Sequence, residues 1–153
     1  MKITIGKLRQ IIKEESKRIV RLKVVDDSSE NLACPVATRN LELNTKNRNA
    51  AIKAEHIHYG PLNLADESYW EHLAEHWDTT VEVAKQSKCG NCAAFDVSPR
   101  MDDCMPGRIQ KDGELGYCWM HQFKCHSERS CYTWAAGGPI EEDKVSFSWQ
   151  NKS

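Results

Sequence analysis

The sequence predicts a small α+β or irregular domain stabilised by metal, preceded by an N-terminal amphipathic helix and an extended arm. Three observations point there. Six of the seven cysteines fall between Cys89 and Cys131, a local density typical of a metal or disulfide scaffold. Only 40% of the 153 residues are hydrophobic and mean hydropathy is −0.65, too little apolar material for one core along the whole length. The remaining chain changes character in blocks, each with its own pattern.

Residues 1–25 form the first block. Ile5, Leu8, Ile11 or Ile12, Ile19 and Leu22 recur near helical spacing among Lys, Arg and Glu, which predicts an amphipathic helix. Ile5, Leu8, Ile12 and Ile19 are the residues expected to meet a partner. Glu14, Glu15 and the lack of aromatics argue against a membrane surface. Residues 26–60 are rich in Asn, Ser, Asp and Lys without steady periodicity, and read as an extended arm or linker with a short helix around Arg48–Glu55.

Residues 61–140 form the Cys-rich domain. Asp66 is placed to cap a helix running to Trp77, with Tyr69, Trp70, Leu73 and Trp77 on one face. Thr79-Thr80-Val81-Glu82 has the form of a capping box and predicts a second helix to about Ser87. His72 and His76 stand four apart, but the intervening Glu75 is misplaced for a zincin base. They read as polar surface, as do His56 and His58. The last block, 141–153, reads as a polar tail or edge strand in which Val145, Phe147 and Trp149 alternate.

Composition also narrows function. With 21 basic and 22 acidic side chains the net charge is −1, so no global field draws the chain to nucleic acid. No apolar run is long enough to span a bilayer, and the charged opening MKITIGKLRQ lacks the features of a secretory signal. Cytosolic folding follows as the expectation, and there clustered cysteines act first as metal ligands. No catalytic acid, base or nucleophile set, phosphate loop or dinucleotide fingerprint is present, and the chain does not read as an enzyme.

Cys89-Gly-Asn-Cys92 is a knuckle whose two thiolates can face one metal, Gly90 allowing the tight turn and freeing amides to point at sulfur. Thiolates are soft donors suited to zinc or iron–sulfur clusters. Eleven, thirteen and twelve residues separate Cys92 from Cys104, Cys104 from Cys118, and Cys118 from Cys131. Paired zinc knuckles would show a second CxxC. A single CxxC with distant cysteines favours an iron–sulfur cluster, with zinc as the alternative. Phe95, Tyr117, Trp119, Phe123, Tyr132 and Trp134 would supply the apolar shell that tunes it.

Cys89-Gly-Asn-Cys92, Cys104-Met-Pro-Gly-Arg108, Gly116-Tyr117-Cys118 and Cys131-Tyr-Thr-Trp134 resemble pieces of the high-potential iron–sulfur proteins, over about fifty residues. That family holds a [4Fe–4S] cubane in a small loop-rich fold. CGNCAAF, GYC, FKC and CYTWAAGGPI together, with the opening LRQIIKEE, resemble virion structural proteins of large T-even-like, mostly marine, tailed phages. The second resemblance implies a capsid or tail accessory protein, assembled in the host cytoplasm, localised to the virion and bound to other virion proteins. Four of Cys89, Cys92, Cys104, Cys118, Cys125 and Cys131 would ligate. Cys89, Cys92, Cys104 and Cys118 is the preferred set, because it keeps the Pro-Gly and Gly-Tyr-Cys landmarks. Cys89, Cys92, Cys118 and Cys131 is the second. A disulfide-stapled virion protein and a free-standing electron carrier are the rival readings.

Overall fold

A computed structural model describes residues 34–60 and 65–153. The expected N-terminal helix and its partner residues Ile5, Leu8, Ile12 and Ile19 lie outside the described residues. Cys34–Ser153 clusters as one unit of mixed α+β composition.

The segment read as an extended arm is helical from Val36 onward. The short α1 (Val36–Arg39) leads into α2 (Leu41–Lys53). Asn40 starts α2 by accepting a hydrogen bond from the Leu43 amide. The pattern of this helix is weakly amphipathic because two of its polar residues serve the sheet. Asn44 Oδ1 accepts the Lys124 amide at 2.7 Å, and Asn47 Nδ2 donates to the Gln122 carbonyl at 2.7 Å. Those bonds satisfy backbone groups at a strand edge that would otherwise stay open, and they hide the helix from a search for apolar periodicity.

Asp66 caps α3 (Glu67–His76) through the Ser68 amide, as expected, and Tyr69, Trp70, Leu73 and Ala74 are buried. The following helix α4 (Val81–Gln86) starts one residue later than the sequence pattern suggests. Its cap is Thr80, which accepts from the Val83 amide, rather than Thr79. These helices pack with Ala84 into an apolar cluster of their own, edged by Trp77, Val81 and Tyr132.

A 3-10 turn (Cys89–Asn91) leads to β1 (Phe95–Asp96), α5 (Pro99–Cys104), β2 (Ile109–Gln110), β3 (Gly113–Cys118) and β4 (Phe123–His126). β3 pairs antiparallel with each of the other three strands. Phe95 lies opposite Cys118, and Phe123 opposite Cys118 on the other side. Strand alternation then sorts the side chains. Phe95, Cys118, Phe123 and Cys125 belong to one apolar cluster, whereas Tyr117 belongs to a second with Cys34, Ala37, Met101, Cys104, Met105, Trp119 and Ile140. Gly116 shares the first face, and a Cβ there would stand 2.4 Å from the Phe95 ring. Only glycine leaves room for that buried phenyl group.

The C-terminal segment is a helix, α6 (Asp143–Lys152), not the edge strand that the alternation of Val145, Phe147 and Trp149 suggests. A buried polar network explains the preference. Asp96, fully buried, accepts from Trp119 Nε1 at 2.8 Å, from the Ser98 amide at 2.9 Å and from the Ser146 hydroxyl. Arg100 donates to Ser146 and Gln150, its amide donates to Asp143 Oδ1, and its guanidinium lies 3.9 Å from the centre of the Phe147 ring. Asp143, Ser146, Phe147 and Gln150 recur at helical spacing, so meeting Arg100 and Asp96 requires helix. Among the described residues no helix is long and apolar enough to cross a membrane.

Candidate functional site

Five free thiols, those of Cys89, Cys92, Cys118, Cys125 and Cys131, gather on one face of the sheet. Four of the five are buried and Cys118 is partly buried. Ala94, Phe95, Phe123 and Tyr59 pack among them, and Trp134 and Ile57 close the edge.

Three local devices position the thiols. The Cys89–Cys92 knuckle is held from outside. The Cys89 amide donates to the Arg129 carbonyl and the Gly90 amide to that of Ser127. Trp134 Nε1 reaches both the Lys88 carbonyl and Asn91 Oδ1 at 2.9 Å. Behind Cys92 the chain returns at Ala135–Gly138, where a Cβ on Gly138 would stand 1.7 Å from the Cys92 carbonyl oxygen. Cys118 and Cys125 come from β3 and β4, where Cys125 faces Gly116. Cys131 follows in a turn pinned by the Tyr132 amide on the Ile57 carbonyl.

The knuckle amides therefore do not serve sulfur as the sequence suggests, since carbonyls take those of Cys89, Gly90, Asn91 and Cys92. The donors to sulfur lie after each cysteine instead. Ala94 and Ala135 amides point at Cys92 sulfur, Met120 and His121 amides at Cys118 sulfur, and the Thr133 amide and hydroxyl at Cys131 sulfur. The Thr133 hydroxyl is 3.1 Å from Cys131 Sγ and 2.6 Å from His121 Nε2. At Cys92, Cys118 and Cys131 an amide two residues on is among these donors, the arrangement that stabilises sulfur carrying negative charge.

Burial sets the protonation of the group. It pushes the Cys92 thiol up against the pull of the Ala135 and Ala94 amides. It pushes Cys131 up to about 12, opposed by Thr133. Cys125 is raised well above its ordinary value by burial first and then by its hydrogen bonds to Cys118 and Cys89. Cys118 is lowered instead, chiefly by the hydrogen bond from Cys125, with the His121 and Met120 amides assisting against burial. The neighbouring Tyr59 hydroxyl is raised well above its usual range by burial and by Cys125 and Cys89.

Cys104 is elsewhere. It forms a disulfide with Cys34 across a sequence separation of 70, within the second apolar cluster. The preferred ligand set of Cys89, Cys92, Cys104 and Cys118 is therefore not brought together, because Cys104, at the end of α5, lies in the second apolar cluster bonded to Cys34. The second set, Cys89, Cys92, Cys118 and Cys131, is brought together, with Cys125 added. Cys34, which has no cysteine near it in sequence, carried no signal of its pairing. His58 and His76 are more than polar surface: the His76 ring stacks on Tyr132 at 3.8 Å and His58 stacks on the same ring at 4.9 Å. His72 stays on the exposed face, its Nδ1 2.7 Å from the Ser68 carbonyl oxygen.

Among the described residues no group of three or more His, Cys, Asp or Glu side chains is placed around one point to hold a single metal ion. Comparison with protein-family models, curated proteins and solved structures returns no match.

Proposed function

We propose that this chain is a non-enzymatic structural protein whose Cys-rich domain carries a [4Fe–4S]-type cluster on Cys89, Cys92, Cys118 and Cys131. The observation that carries the reading is the convergence of buried thiols with backbone amides already aimed at three of them. Burying a thiolate without a partner is costly, and donors turned toward sulfur are of greatest use where sulfur bears charge. A cubane takes its thiolates at four separate corners, so it asks for convergence on a body rather than on one point. The donor set fits it in softness, burial and aromatic lining. When bound, such a cluster supplies one-electron storage and cross-links the knuckle, the hairpin and the Cys131 turn.

The wider role we propose is that of an accessory component of a phage capsid or tail, held by other virion proteins. The Cys34–Cys104 disulfide suits a protein that ends in an oxidising medium, and the sequence resemblance to virion proteins of tailed phages points the same way. Purified particles should contain the chain, and its absence from them would end this part of the proposal.

The disulfide also favours a second reading, in which cysteine pairing alone staples the domain. One disulfide leaves five thiols, an odd number, so pairing within the chain strands at least one in the apolar cluster. Mass spectrometry of the metal-free protein separates the readings. Two further disulfides in the native chain would favour stapling, and four thiols released only on removal of metal would favour the cluster.

A further inference from the structure

The turn that carries Cys131 continues into a short chain of contacts that reaches the neighbouring hairpin. Thr133 Oγ1 lies 3.1 Å from Cys131 Sγ and 2.6 Å from His121 Nε2. Backbone bonds hold both ends of this chain in place. The Trp134 amide donates to the Cys131 carbonyl at 3.2 Å and closes the turn around Thr133. On the other side the Gln122 amide donates to the Cys118 carbonyl at 2.7 Å. Asn47 Nδ2 holds the Gln122 carbonyl at 2.7 Å, so α2 fixes the β3–β4 connection that presents His121. A hydroxyl offers one hydrogen and two lone pairs. Thr133 can therefore donate to the sulfur or to the imidazole, but not to both.

We infer that Thr133 and His121 are positioning residues for the cluster: the Thr133 hydroxyl donates to the ligating sulfur of Cys131, and His121 Nε2–H donates to Thr133 and fixes that direction. This rests on the metal-centre reading above, with Cys131 among the ligands. A coordinated sulfur carries no proton, so the hydrogen between it and an oxygen 3.1 Å away must be the hydroxyl's own. With that hydrogen committed, the 2.6 Å contact to the imidazole needs one from Nε2. The opposite order would set oxygen and sulfur lone pairs face to face. A hydroxyl that accepts while it donates is the more polarised donor. Hydrogen bonds to ligand sulfur withdraw electron density and raise the reduction potential of an iron–sulfur centre. The same withdrawal moves sulfur-to-iron charge-transfer bands to higher energy. The pair thus tunes the centre at Cys131 and ties that turn to the hairpin carrying Cys118.

The test begins with iron and acid-labile sulfide in the full-length wild-type protein after anaerobic reconstitution with iron and sulfide. A wild-type protein that takes up neither defeats the metal reading itself, before any variant is examined. With a loaded wild type, Thr133→Val, Thr133→Ser, His121→Leu and the double variant Thr133→Val with His121→Leu are compared by iron content, absorption spectrum and reduction potential. Thr133→Val removes the hydroxyl while keeping the shape and the backbone amide of residue 133. It should keep the wild-type ratio of iron to protein, with a lower potential and charge-transfer bands at lower energy. Thr133→Ser, which retains the O–H, should stay close to wild type. His121→Leu should shift both readings in the same direction by less, and adding it to Thr133→Val should shift them no further, because the imidazole acts through the hydroxyl. Wild-type potential and bands in Thr133→Val would overturn the inference. So would Thr133→Ser displaced as far as Thr133→Val, which would make the packing of the side chain responsible, or full additivity in the double variant. Should Thr133→Val take up no iron, His121→Leu carries the test, and wild-type readings there would overturn the inference. Loss of iron from both Thr133 variants would leave Thr133 a packing residue and overturn it as well.

Discussion

Breaking the Cys34–Cys104 disulfide should destabilise the fold by an amount that its loop length sets. The bond spans a sequence separation of 70, and the chain-entropy relation for a loop of that size gives about 4 kcal/mol at 25 °C. For a unit of about 120 residues, from Cys34 to Ser153, each 1 kcal/mol moves the midpoint by about 4 °C, so a fall of about 15 °C is expected. Both sulfurs lie in an apolar cluster with Met101, Tyr117 and Trp119, so Cys→Ala is the cleaner substitution because it leaves no hydroxyl in that core. The assay is thermal unfolding followed by circular dichroism on Cys34→Ala, Cys104→Ala and the double variant, without reductant. Either single change removes the same bond, so the three variants should melt within a few degrees of one another. A double variant that loses about twice as much as each single would refute the pairing. A drop of less than about 3 °C in all three would refute the magnitude derived from the loop.

Other consequences are equally open to measurement. Gly116→Ala forces a Cβ to 2.4 Å from the buried Phe95 ring, and should cost about 1–3 kcal/mol by denaturant titration, with partial recovery on adding Phe95→Leu; a neutral effect would argue against this packing. Asp96→Ala strands the Trp119 indole N–H and the Ser98 amide and removes the anchor of Ser146. A loss of about 3 kcal/mol is expected, with a smaller loss for Asp96→Asn, and equal stability of wild type and Asp96→Ala would contradict the network. The metal-free protein has the Cys92, Cys125 and Cys131 thiols raised and Cys118 lowered. Raised groups hold more protons folded than unfolded, so their contribution is present below the ordinary thiol value of about 8.5. It is lost as pH climbs from there toward the folded value, about 12 for Cys131. Melting of the metal-free form should therefore worsen above about pH 8.5, and metal uptake at neutral pH should release protons measurable in weak buffer. A flat stability profile to pH 10 would contradict the burial of these thiols.

Several features were legible in the residues. Asp66 before an apolar stripe announced α3, and the knuckle Cys89-Gly-Asn-Cys92 with Cys118 and Cys131 marked thiols that the fold does gather. What stayed hidden depends on contacts between distant parts of the chain. α2 spends Asn44 and Asn47 on the edge of β4 instead of showing a clean apolar face, so its periodicity is weak. In the last block, alternation of Val145, Phe147 and Trp149 mimics a strand, while the deciding partners Asp96 and Arg100 lie more than forty residues earlier. Cys104 sits at a spacing that suits a ligand, and nothing local reveals that α5 turns it toward Cys34. The donors to sulfur were readable in principle, because an amide two residues beyond each of Cys92, Cys118 and Cys131 is a recurring offset.

The most direct test of the central claim is iron and acid-labile sulfide analysis, with zinc measured in the same sample and an absorption spectrum, on protein prepared without oxygen. The account predicts iron and sulfide in equal amounts, negligible zinc and broad visible absorption from sulfur-to-iron charge transfer, all lost in Cys118→Ala. A colourless protein with one equivalent of zinc, or with neither metal nor sulfide, would contradict it.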